Sequence, residues 1–159
     1  MDTAYAVKIA EVLYDTAINL WKEGNVVPGS NDMGLPVATK MFVGVMNMAF
    51  SCEVAIKAKL QTYDKIHDLD KLFEELPAAD QKWIMNEVIS KLTDYSICWN
   101  EDSFKHLLLI ASKNFENARY CFEDKSFMVS PIYLDTLART LLKMHGIEKI
   151  SNWAQPIKP

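Results

Sequence analysis

The sequence predicts an all-α protein, an up-and-down helical bundle of five to six helices, and three observations predict it. Apolar residues recur at three-and-four spacing over most of the chain, the period of an amphipathic helix. Only five glycines occur, and three of them fall between Gly24 and Gly34. Alternating β-branched runs bounded by turn residues, the mark of strands, are missing.

The first helix is expected over about residues 3–22, where Ala6, Ile9, Ala10, Leu13, Ala17, Leu20 and Trp21 share one face. Residues 24–36, with two prolines, three glycines and two asparagines, separate it from the second. That second helix starts just after Pro36, runs to about residue 63 and is apolar on most sides, so it should be central and the most buried. Asp68 or a neighbour caps a short third helix, whose stripe Leu69, Leu72, Phe73 and Leu76 stops at Pro77. A fourth helix covers about residues 78–92. Asn100 caps the fifth, with Glu101 and Asp102 in its first turn and an apolar stripe of Phe104, Leu108, Ala111, Phe115, Ala118 and Phe122. The sixth begins near Pro131, an allowed first-turn position, and stops at Gly146. Residues 1–150 read as one domain and residues 151–159, with Pro156 and Pro159, as a tail.

A chain of 159 residues can bury a core without disulfides or a structural metal. With 50% apolar and 24% charged residues it is not of the disordered class. The net charge of −4 repels phosphate backbones and anionic lipid, so any nucleic-acid contact must be a local patch. The uncharged stretch 41–52 is shorter than the ~20 residues of a membrane span, which predicts a core helix and no membrane partner. Residues 1–10 carry Asp2 and Lys8 and lack the apolar region of a secretory leader, so a cytoplasmic location is expected. Cys52, Cys98 and Cys121 are odd in number and scattered, which predicts reduced, buried thiols. His67, His106 and His145 form no ligand pair at zinc spacing, so neither metal nor cofactor is expected.

Three places carry candidate chemistry. On the second helix Glu53 interrupts the stripe Phe42, Met46, Ala49, Ile56 and Leu60, and a carboxylate so placed needs a cation or donors. Lys57 stands one turn on, in the favourable Glu-then-Lys order. Arg119, at the border of the fifth helix's stripe with Tyr120 beside it and Glu123 one turn later, has a guanidinium fork suited to Glu53 or to an external phosphate. His67, just before the third helix, reads as a capping residue, with a nucleotide contact or a base as the functional alternative.

The run Ser51, Glu53, Ala55, Lys57 and Leu60, then His67-Asp68-Leu69, Leu72-Phe73 and Leu76-Pro77, resembles the N-terminal signature of HEPN domains. Phe115, Arg119-Tyr120 and Glu123 are similar to the RYxxE stretch of a subgroup of uncharacterised prokaryotic HEPN-like proteins. The resemblance covers roughly residues 41–142. It implies a helical bundle working as a homodimer in toxin, defence or nucleotide-handling systems, with RNA or a nucleotide as ligand and a cognate antitoxin or nucleotidyltransferase as partner. It also implies, for active members, metal-independent endoribonuclease action by an arginine and a histidine four to six residues apart.

That pair is missing after Arg119, so the catalytic residues are unknown. Arg139 and His145, with five residues between them, fit the literal spacing as runner-up. Six steps along an unbroken helix leave two side chains about 120° apart, however, and Arg139 already has Asp135 one turn back. The expected site is therefore a binding groove formed by Glu53, Lys57, His67, Arg119, Tyr120 and Glu123, with little or no intrinsic RNA cleavage. The competing expectation is a non-catalytic dimeric module binding a partner protein. The acidic net charge favours that module, and Trp21, Trp83, Trp99 and Trp153 suggest apolar surface for an interface.

Overall fold

The computed structural model describes residues 2–24, 35–95, 99–119 and 128–148, without the side chains of Leu35 and residues 115–119. The described residues are all-helical, with no strand: α1 (Thr3–Glu23), α2 (Leu35–Leu60), α3 (Leu69–Glu74), α4 (Ala78–Thr93), α5 (Glu101–Arg119) and α6 (Pro131–Met144). Most of the loop 24–36, the tail 151–159, Cys98, Cys121 and Trp153 lie outside them.

Local chemistry sets most helix ends. Asp2 accepts from the Tyr5 amide at 3.1 Å, and Asn100 accepts from Ser103 N at 2.9 Å. Ser130 caps α6 ahead of Pro131, its hydroxyl oxygen accepting from Tyr133 N at 3.4 Å, which the proline alone does not announce. Gly146, at φ 81, ends the last turn. α2 begins at Leu35, with Pro36 inside its first turn, and stops at Leu60, short of residue 63. Gln61 there takes φ 54, and Thr62 N returns to Lys57 O at 3.2 Å, the left-handed closure that usually falls to glycine.

α1 and α2 pack antiparallel: Ser51 Oγ donates to Ala10 O at 2.7 Å near one end, and Trp21 Nε1 donates to Met41 O at 3.1 Å near the other. α2 is the hub, packed against α1, α3, α5 and α6. Its Pro36–Leu60 stretch is long and apolar enough to cross a membrane by length and composition, with mean hydropathy 1.3, although the uncharged run 41–52 alone is too short. Much of it is buried against the other helices, as in a core helix. Burial is shared with α6, whose residues from Tyr133 to Ala138 form one unbroken buried run.

The core joins Tyr14, Ile18 and Trp21 of α1 with Met48, Cys52 and Ile56 of α2 and Leu134, Leu137 and Leu141 of α6. Phe73, Phe104 and Tyr133 tie α3 and α5 to it, with ring centroids 5.3 Å and 5.9 Å apart. Trp21 is fully buried, so it marks the core and no interface; Trp99 is half-buried and Trp83 is 36% exposed. Cys52 is a buried free thiol whose pKa burial pushes upward.

Candidate functional site

Helical periodicity brings Glu53 into the core side of α2, and its side chain is only 5% exposed. A carboxylate there must be compensated. Lys57, one turn on, supplies the cation: Nζ lies 2.8 Å from Glu53 Oε1, with the lysine side chain 13% exposed. His67 supplies the donor, its Nδ1 lying 2.9 Å from the same oxygen. The loop between α2 and α3 therefore folds back onto α2. His67 does not serve as the cap of α3.

Asp68, which occupies the N-cap position of α3, makes no capping bond either. Its carboxylate pairs with Lys71 and, at 2.9 Å, with Lys113 of α5, and the hydrogen bond from Lys71 first and Lys113 second holds its pKa below the usual carboxylate range. Ser112 of α5 caps instead, accepting from Asp70 N at 2.7 Å and donating to Asp70 Oδ1 at 2.7 Å. The junction of α2, α3 and α5 thus gathers Glu53, Lys57, His67, Asp68, Asp70, Lys71, Ser112 and Lys113. Lysines and acids balance there, so it is a polar patch and no basic field.

Sequence alone does not single out Ser112 and Lys113, because their partners lie more than forty residues away and no local period signals them. Asn114 beside them is 1% exposed, and its Oδ1 has no hydrogen-bond partner among the described residues. α5 continues to Arg119, whose side chain lies outside the described residues, as do Tyr120 and Glu123.

Arg139 and His145 are engaged elsewhere. Arg139 Nε and Nη2 each approach Asp135 Oδ2 at 3.1 Å, while Tyr14 donates to Oδ1 at 2.8 Å. Asp135 is fully buried, and that burial raises its pKa against the opposing pull of Arg139. α6 runs unbroken to Met144. His145 Nε2 donates to Ala55 O at 2.8 Å, and burial lowers its pKa. One member of the literal pair is thus committed to a buried carboxylate and the other to a backbone carbonyl.

Among the described residues no group of three or more His, Cys, Asp or Glu side chains could hold a metal ion. Two adjoining cavities of about 310 and 260 Å³ open between α3, α4 and α5 over Phe73, with Gln81 and Lys105 lining both. Glu53, Lys57 and His67 line neither; of the three only the His67 side chain is largely exposed.

Fold and site together define an all-α protein in which a buried carboxylate holds an ammonium and an exposed imidazole. Set against family models, curated proteins and solved structures, the chain matches none.

Proposed function

We propose that the chain is an HEPN-like helical domain of a prokaryotic toxin, defence or nucleotide-handling system, cytoplasmic, which holds a nucleotide or an RNA phosphate at the α2/α3/α5 junction. The observation that carries this reading is the Glu53–Lys57–His67 cluster, where a buried acid presents an imidazole that is 67% exposed, one residue before the Asp68 carboxylate that pairs with Lys71 and Lys113. An imidazole needed only for packing would be covered. Arg119 is the last residue of α5, and a guanidinium is the side chain best suited to two-point contact with a phosphate. RNA cleavage through Arg139 and His145 has no support, because neither side chain is free to meet a 2′-hydroxyl and a phosphate together.

Fluorescence titration of single-stranded RNA tests the reading. Arg119→Ala and Lys113→Ala weaken binding, and His145→Ala leaves it within a factor of about two, as expected for a residue outside the contact. Absence of binding to RNA and to nucleotides by the folded protein would defeat it, and metal-independent cleavage abolished by His145→Ala would move the site to α6.

A second reading, a dimeric module binding a partner protein such as an antitoxin or a nucleotidyltransferase, is favoured by a different observation. Tyr5 and Val12 on α1, and Val43 and Phe50 on α2, are exposed large apolar residues, each pair seven residues apart on one helix face. Sedimentation at tens of micromolar gives a dimer if these faces pair, and only monomer if they do not.

A further inference from the structure

We propose that Lys91 is an acylation site: its amine, at the surface where α4 meets α6, takes the acyl group of a small acyl phosphate. The site is separate from the α2/α3/α5 junction and does not rest on the nucleotide-binding reading. It begins with a charge imbalance. Among the described residues of that surface three cations, Lys91, Arg139 and Lys143, share two carboxylates, Glu87 and Asp135. Both oxygens of Asp135 are engaged, Oδ1 by Tyr14 at 2.8 Å and Oδ2 by Arg139 at 3.1 Å. Glu87 Oε2 is divided between Lys143 at 3.1 Å and Lys91 at 3.5 Å, and Lys91 has the longer contact.

Lys91 is therefore an ammonium without a carboxylate of its own. Its side chain is 31% exposed, and its Nζ donates inward to Thr140 Oγ1, a neutral acceptor on a fully buried residue, at 3.3 Å. Burial penalises the charged form first, Arg139 and Lys143 repel it further, and together they outweigh the pull of Glu87, so the pKa lies below the ordinary 10.5. Lys8 and Lys105 show the opposite case: 66% and 65% exposed, each holds a carboxylate to itself at 2.7 Å, and that bond raises its pKa. A partly covered lysine beside other cations keeps more of its amine unprotonated near neutral pH, the arrangement that makes an amine a nucleophile.

The surplus positive charge selects the reagent. An acyl phosphate is an anion with an anionic leaving group, so it is drawn to cations that leave an uncharged acyl donor unaffected. Lys143 is placed to hold the phosphate: its side chain is 50% exposed, and its Nζ lies 5.9 Å from the centroid of the Trp83 ring. Because Lys143 and Lys91 meet the same Glu87 oxygen, their nitrogens are no further apart than those two contacts laid end to end. In the reaction the free Lys91 amine attacks the carbonyl carbon. A C–N bond forms, the bond from that carbon to the bridging phosphate oxygen breaks, and the amine proton leaves with the phosphate as hydrogen phosphate. The product is a neutral amide, which no longer competes for Glu87 and leaves it to Lys143.

The test treats the full chain briefly with acetyl phosphate at neutral pH and locates acetyl-lysine by peptide mass spectrometry, with acetic anhydride, an uncharged reagent, as the second arm. Acetyl phosphate modifies Lys91 about fivefold faster than Lys82, which is exposed on the same helix, and the anhydride shows the same preference by a smaller margin. The Lys91 rate also levels off at a lower pH than the Lys82 rate. Glu87→Gln removes the carboxylate that steadies the ammonium and speeds Lys91. Lys143→Met removes both a repelling cation and the phosphate's holder, so it slows Lys91, and slows it more with acetyl phosphate than with the anhydride. Equal rates at Lys91 and Lys82 with acetyl phosphate overturn the proposal. So does a Lys91 rate that Glu87→Gln lowers or that Lys143→Met leaves unchanged, since exposure alone would then govern it.

Discussion

The Trp21 indole fills the space that the missing side chain of Gly44 leaves open: a Cβ there would stand 2.1 Å from Nε1. The close approach lets Nε1 reach Met41 O at 3.1 Å and seats the largest ring of α1 in the core. Gly44→Ala forces the ring or the helix pair to move and should destabilise by about 3 kcal/mol, the cost of overpacking a tight contact. Urea unfolding measures it. Trp21→Leu in the same chain should recover part of the loss, because the two sites share one space.

Glu53→Ala should cost about 1–3 kcal/mol, the penalty for stripping a partial hydrogen-bond network. Pairing with a deeply buried cation would raise that to about 3–5 kcal/mol. The smaller figure follows from His67, which is 67% exposed and can return to water; Lys57, 13% exposed, accounts for what remains. Chemical denaturation of Glu53→Ala beside Lys57→Ala checks it, and a loss at the upper figure would point to a further buried cation.

Gln61 holds φ 54 without being glycine. Gln61→Gly should stabilise by about 0.5–1 kcal/mol, since the left-handed conformation strains any side chain with a Cβ. Gln61→Val should destabilise, and thermal unfolding of the two variants separates the signs.

Burial lowers the folded-state pKa of His145 below its ordinary value of 6.5, so the unfolded chain binds the proton more readily than the native one. The stability this histidine contributes is fully present above the ordinary value and is lost as pH falls toward the depressed one. Wild type should therefore weaken between neutral and mildly acidic pH, ahead of the carboxylates Asp68 and Glu87, whose pKa values are lowered by their lysines and whose contributions fall away only at lower pH. His145→Gln should flatten the first step alone in a pH series of urea midpoints.

The sequence by itself determined what lies within reach of one helix. The 3.6-residue period fixes which side chains share a face, so the six helices, the Asn100 cap and the Gly146 stop were legible. For the same reason so were the one-turn pairs Glu53–Lys57 and Arg139–Asp135. The burial of Glu53 followed from its place in an apolar stripe. Only the tertiary structure decided where separate elements meet: His67 on Glu53, Lys113 on Asp68, Ser112 on Asp70 and Tyr14 on Asp135. Trp21 belongs to the same group, since its fate hinged on a glycine twenty-three positions away on another helix. No local period encodes such contacts, because they depend on which faces pack and how the loops return. In the α2/α3 loop the need of Glu53 for a donor is legible in its stripe, but that His67 meets it depends on how the loop returns to α2.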